Sequence, residues 1–168
     1  MIKSAILKTV WDNWHPGLTR NVAEWADKNR RLTKHSSQYV GQWRTERFFY
    51  QKGPMDAFSS NRVRMIVLKW ATQLGKTEIE LNVMGYVIDE SPGPVLAVYP
   101  SERIAKKIST TRIQPMINAC PTLNSKKHPS PDRFKLEEMH FQDCILYAVS
   151  AQTPGDLASM PIQYLVCD

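Results

Sequence analysis

The stretch Val63–Thr77, VRMIVLKWATQLGKT, constrains this chain more than any other. An apolar run, Met65 to Leu68 behind Arg64, enters a turn that ends in Gly75-Lys76-Thr77. A continuous apolar run before such a turn predicts a buried parallel strand over Arg64–Leu68. Thr77–Ile88 follows at helical length. Its apolar residues Ile79, Leu81, Val83, Met84, Val87 and Ile88 cover most of the circumference, which predicts a well-buried helix packed on a sheet. Strand, glycine turn and helix in that order form a phosphate-binding loop, in which backbone N–H groups and the helix N-terminus face an anion. Lys76 then reaches the β- and γ-phosphates, and the Thr77 hydroxyl binds Mg²⁺. The usual loop has a small residue five places before Gly75, where this chain has Trp70 followed by Ala71. The plain alternative is a chance Gly-Lys-Thr at a helix start.

Ser91-Pro92-Gly93-Pro94 stops that helix, and Val95–Tyr99 predicts a second buried strand. Ser101 can cap the next helix, which puts Ile104, Ala105 and Ile108 on one face and Lys106 and Lys107 on another; Pro115 breaks or restarts it. Residues 121–133 read as loop, and Leu136–Gln142 with Cys144–Ala151 predict a hairpin about Asp143. Gln152–Met160 reads as loop, and Ile162–Cys167 as a last strand closing on Asp168. Upstream, residues 1 to about 20 read as an irregular lead-in. Asn21 can cap a helix with Val22, Trp25 and Ala26 inward and Lys28, Arg30 and Arg31 outward. Residues 34–46 read as loop and Gln51–Phe58 as a short helix. Strands alternating with helices predict an α/β fold with a parallel sheet and right-handed crossovers. Two regions result: a helical and loop extension over 1–60, and the first part of a nucleotide-binding domain over 61–168.

An apolar strand that ends in Asp168 resembles a Walker B strand, whose aspartate holds Mg²⁺ beside the loop threonine. Alone that signal is weak, because apolar strands often end in a turn-forming Asp. Tyr50-Gln51 follows Trp43-Arg44-Thr45 and Phe48-Phe49. An aromatic ring can stack on adenine and a glutamine amide can read its edge; the alternative is a hydrophobic cluster with an exposed Gln. With a net charge of +6, Lys106, Lys107, Arg112, Lys126, Lys127 and Arg133 allow phosphodiester contacts or form a solvated face. His15, His35, His128 and His140 show no ligand spacing. The odd set Cys120, Cys144 and Cys167 predicts reduced thiols, with Cys144 and Cys167 buried. No apolar run approaches membrane-span length, and the N-terminus lacks the long apolar core of a signal peptide.

The ordered set Ala23-Glu24-Trp25-Ala26-Asp27, Gly41-Gln42-Trp43-Arg44-Thr45, Tyr50-Gln51 and Lys69–Glu78 resembles the large terminase subunit of lambda-like tailed phages. Arg112–Ile117 and Ser150–Ile162 extend the resemblance, which runs from about Ala23 to Asp168. It implies a P-loop NTPase fold, RecA-like and of the additional-strand type, with a parallel sheet flanked by helices and here an incomplete core. It implies a DNA-packaging ATPase that drives duplex DNA into a procapsid, with a nuclease that cuts concatemers. ATP and Mg²⁺ are the implied cofactors. Lys76 and Asp168 are implied as catalytic, and Thr77 and Asp168 as magnesium ligands. Tyr50 and Gln51 are implied near adenine, with Lys69, Gln73, Leu74, Gly75 and Glu78 along the nucleotide; Lys69 is a second phosphate contact or stands in for an arginine finger. The implied partners are double-stranded DNA, a small terminase subunit, the portal or procapsid, and further copies of the chain. The implied location is the cytoplasm of a bacterial host, with no membrane partner. In the family a catalytic glutamate directly follows the Walker B aspartate, and this sequence stops at Asp168, so the expectation is nucleotide binding with negligible turnover. Two other readings compete. One is the first lobe of a superfamily-2-like helicase, which shares the order of Gln motif, P-loop and Asp box. The other is a truncated, non-catalytic nucleic-acid-binding module.

Overall fold

The computed structural model describes residues 20–34, 38–60, 62–152, 154–157 and 160–168. The lead-in before residue 20, His15 and His35 lie outside the described residues, as do Thr153, Ala158 and Ser159. Helix α1 (Val22–Asn29) begins on a reciprocal capping box: the Asn21 side chain accepts from the Glu24 N–H at 2.8 Å, and the Glu24 carboxylate accepts from the Asn21 N–H at 3.3 Å. Strands β1 (Arg31–Leu32) and β2 (Gly41–Gln42) pair antiparallel, so the 34–46 stretch contains a short strand as well as loop. Thr45–Gln51 forms 3₁₀ turns kinked at Phe48 and runs into α2 (Lys52–Phe58).

Helix α3 (Lys76–Asp89) is the spine of the fold, with buried residues from Ile79 to Ile88. Strand β3 (Val95–Tyr99) has the predicted bounds. Helix α4 (Glu102–Ile108) starts where the Ser101 side chain accepts from the Ile104 N–H at 3.4 Å. It continues through a π-helical segment, Ser109–Ile113, into α5 (Gln114–Ala119). Pro115 has no N–H to donate four residues back, so the chain widens by one turn and restarts there. Two further prolines, Pro121 and Pro131, begin α6 (Pro121–Ser125) and a 3₁₀ turn (Pro131–Arg133) inside the predicted loop. Strands β4 (Glu138–His140) and β5 (Ile145–Ser150) form the predicted hairpin. The short α7 (Pro154–Leu157) and β6 (Tyr164–Cys167) follow.

The main sheet has the order β4-β5-β3-β6, with β5, β3 and β6 parallel. It is mixed rather than wholly parallel, because the β4–β5 hairpin adds an antiparallel edge. One core takes in residues from Val22 of α1 to Ala148 of β5. Helices α1 and α3 are in close contact within it: a Cβ on Gly85 would stand 2.2 Å from Cη2 of Trp25.

Three further expectations fail. Arg64–Leu68 is not a strand: it joins no ladder, and Met65 and Val67 are 80% and 78% exposed. Its apolar run predicted cover on both faces, and the fold covers it on one, where Leu68 packs against the core. Arg30 does not point outward but is 1% exposed, because it ends α1 in an extended conformation and leaves the helix's polar face. Cys167 is exposed, since β6 is an edge strand, whereas Cys144 is buried and donates to the Gly93 carbonyl. Burial pushes the Cys144 thiol up to about 11, which leaves it an inert core residue.

Candidate functional site

The loop before α3 depends on backbone conformations that few residues adopt. Gly75 caps α3 with φ +74°, and Gln73 also lies in the left-handed region at φ +61°. Gly75 is needed for space as well, because a Cβ there would stand 2.4 Å from Nε2 of Gln51. Gln51 is 2% exposed, and its Nε2 donates to the Leu74 carbonyl at 3.2 Å. Its Oε1 is buried with no hydrogen-bond partner. The predicted adenine-side glutamine therefore sits beneath the loop and braces Leu74 and Gly75. The Lys76 ammonium donates to the carbonyls of Trp70 and Ala71, at 3.2 and 3.3 Å, so the loop curls around its own lysine. The Trp70 departure has a physical account: the loop uses this residue's carbonyl, which any side chain permits. Its indole turns away and meets the Tyr50 ring edge-on, with centroids 5.7 Å apart at 69°.

Glu78 is occupied by the scaffold. Its carboxylate accepts from Nη2 of buried Arg30 at 2.8 Å and pairs with Arg112 of the π segment at 3.4 Å. Arg30 also donates to Asn82 at 3.2 Å. Burial pulls the Arg30 guanidinium below its ordinary value, and Glu78 opposes that pull. The trio fastens the first turn of α3 to both flanking helical elements. Lys69 is exposed, and Thr77 is half-buried in the first turn of α3.

Asp168 follows β6, with its N–H on the Val98 carbonyl at 3.2 Å. The C-terminal ends of the parallel strands thus meet the first turns of α3, the usual place for a ligand in an α/β sheet. Glu80, which the sequence reading missed, joins Lys76 and Asp168 there. Its Oε2 is buried without a partner. Burial, then the charge of Asp168, pushes its carboxyl up to about 7 against the opposing pull of Lys76. Tyr99 shares this environment: burial, then Glu80 and Asp168, pushes its phenol up. The missed signal was the spacing Lys76–Glu80, which puts both on one face of a helix. An ammonium and a helix N-terminus suit a phosphate, and neighbouring carboxylates suit a hard divalent cation.

Glu80 carries a pH prediction. Its carboxyl rises from 4.5 to about 7 on folding, so the folded state binds more protons than the unfolded chain between those values. The stability linked to this group is therefore present in acid and declines as the pH rises through about 7. Glu80→Gln is expected to remove that decline and to stabilise the protein at pH 8 by about 2 kcal/mol. Urea midpoints at pH 5 and pH 8 check this; the same pH difference in both proteins would contradict it.

The basic residues do not converge. Lys106 pairs with Glu102 and Glu137, Lys126 with Asp89, and Lys127 lies over the Phe134 ring. His128 accepts from the Ser130 N–H and His140 pairs with Glu138. Among the described residues no group of His, Cys, Asp and Glu could hold a metal by itself, and no helix is long and apolar enough to cross a membrane.

A lysine-bearing loop at the start of a buried helix, facing the C-terminal ends of parallel strands, defines a P-loop ATPase domain. The family model for the phage terminase large subunit gpA, ATPase domain, matches residues 37–168, and the chain belongs to that family. It is 29% identical to the terminase large subunit of Escherichia phage lambda over 104 residues, which is 62% of this chain and 16% of that protein. It is 28% identical to the terminase large subunit of Enterobacteria phage P21 over 102 residues, again 16% of the relative. The chain thus spans about a sixth of the length of these relatives. The crystal structure of the HK97 bacteriophage large terminase has the same fold, with a TM-score of 0.63 at 13% identity, over 89% of this chain and 37% of that one. These matches favour the terminase reading over the helicase lobe.

Proposed function

We propose that this chain is the ATP-binding part of a viral DNA-packaging motor that couples ATP hydrolysis to translocation of duplex DNA into a procapsid. The observation that carries the reading is the Lys76 loop, held by Gly75 and Gln51 and placed at the same sheet end as Asp168. Lys76 and the first N–H groups of α3 would hold the phosphates of ATP. Thr77 and Asp168 would hold Mg²⁺, which when bound neutralises phosphate charge. The fit rests on the donor set: burial, then the charge of Asp168, pushes the Glu80 carboxyl up, and a divalent cation between them would offset that repulsion. Lys69, exposed ahead of the loop, would be a second phosphate contact, and Gln73 and Leu74 would present backbone N–H groups. Glu78 would act through α3, by holding its first turn in place.

Residues 1–168 by themselves would bind ATP and turn it over negligibly. Of the carboxylates beside the loop, Asp168 would be taken up by the metal, and Glu80, its carboxyl pushed up to about 7, lacks a partner that would orient it toward water. The wider partners of the reading are duplex DNA, a small terminase subunit, the portal or procapsid and further copies of the chain, in the cytoplasm of a bacterial host. Calorimetric titration with ATP tests the core of it. Binding is expected with Mg²⁺, to be weakened about tenfold by EDTA or by Asp168→Asn. No heat of binding with ATP and Mg²⁺ would overturn the reading.

A further inference from the structure

We infer that Arg30 and Arg112 are positioning residues for the phosphates: by taking both oxygens of Glu78, they hold its carboxylate away from the α3 N-terminus and leave that end open to an anion. The inference rests on the nucleotide reading above and adds the residues that keep a competing carboxylate aside. Glu78 stands three residues after Gly75, which caps α3. A glutamate in that position by default folds back onto the N–H of the capping residue and serves the helix end as its own anion. The same chain shows that default in α1, where Glu24 stands three residues after Asn21 and accepts from its N–H at 3.3 Å. At α3 the pattern is broken: among the described residues no side chain caps its N-terminus. One Glu78 oxygen accepts from Nη2 of Arg30 at 2.8 Å, and the other pairs with Nη1 of Arg112 at 3.4 Å.

Both arginines are fixed where they can do this. Arg30 is buried and also donates to Asn82, one turn further along α3, at 3.2 Å. Arg112 comes from the π segment, which is anchored where the buried Ser109 donates its hydroxyl to the Leu136 carbonyl at 2.6 Å. A released carboxylate at the start of α3 would occupy N–H groups that a phosphate needs, and its charge would repel the phosphate as well. Diverting it costs the helix a cap and keeps those donors for the ligand.

The test is calorimetry on the whole chain with Mg²⁺ and two ligands, ATP and inorganic tripolyphosphate. Arg112→Gln is expected to weaken both about fivefold and by the same factor, because the carboxylate competes with phosphate and not with the base. In the Glu78→Gln background the same substitution is expected to cost less than about twofold, since no charge is left to restrain. The Arg112 side chain is 41% exposed, so these variants are expected to fold, and thermal melts check that they do. Unchanged affinity in Arg112→Gln overturns the inference. So does a loss of about fivefold that persists in the Glu78→Gln background, which would mean that Arg112 meets the phosphates itself or acts through packing alone. Both outcomes leave the phosphate-loop reading standing, whereas a wild type that binds neither ligand removes both.

Discussion

Lys76→Ala is expected to abolish measurable ATP·Mg²⁺ binding, a loss of at least about a hundredfold. The ammonium has two tasks that alanine cannot perform. It supplies charge-assisted hydrogen bonds to phosphate oxygens, which are among the stronger single contacts a protein makes. It also ties the Trp70 and Ala71 carbonyls to the start of α3, and so keeps the loop curled. Lys76→Arg is expected to recover little, because a planar guanidinium does not fit a loop wound around a compact ammonium. Global stability should change little in either variant, since the side chain bonds only to the loop. A fluorescent-nucleotide titration decides the matter, and equal affinity of wild type and Lys76→Ala would remove the phosphate role.

Gly85→Ala is expected to destabilise the fold by about 3 kcal/mol, which for a domain of this size lowers the melting temperature by roughly 6–12 °C. The added methyl would lie 2.2 Å from Cη2 and 2.7 Å from Cζ3 of Trp25. Trp25 has no room to yield, because it is fully buried and its indole N–H donates to Asp89 at 2.8 Å. Helix α1 must therefore lift from α3, and Arg30 and the capping turn lift with it. Thermal melts give the measurement. Trp25→Leu in the Gly85→Ala background should restore part of the loss, because a smaller side chain leaves space for the methyl. A melting temperature unchanged in Gly85→Ala would show that the two helices are not in tight contact.

Much of the fold could be read from local chemistry. Asn21 and Ser101 announce helix starts because a short polar side chain can satisfy a free N–H, and both do so. Val95–Tyr99 and the Asp143 hairpin are strong local patterns. Gly75-Lys76-Thr77 is legible because its requirements are local: a left-handed glycine, a lysine and a helix start. What could not be read depends on which distant residues meet. An apolar run reports that cover is wanted, and only the assembled sheet shows that Arg64–Leu68 has cover on one side. Glu80 looks like a solvated helix carboxylate until β6 brings Asp168 beside it. Arg30 looks like a polar-face residue until the chain's turn at the end of α1 hands it to Glu78. Gln51 carries a motif that suggests contact with a base, and only the assembled loop shows that its amide also braces Leu74.

The half-covered run at Met65–Leu68, with Met65 and Val67 exposed, bears on how the protein behaves in a test tube. It offers bare apolar side chains with no ladder partner, and β6 presents an open sheet edge whose Leu165 is 59% exposed. Unpaired extended backbone with apolar side chains is a template for strands from other molecules. The net charge of +6 opposes such pairing through mutual repulsion, and that repulsion is screened by salt. Concentrated, salty preparations are therefore expected to favour association of this polypeptide, and dilute, low-salt buffer to keep it dispersed.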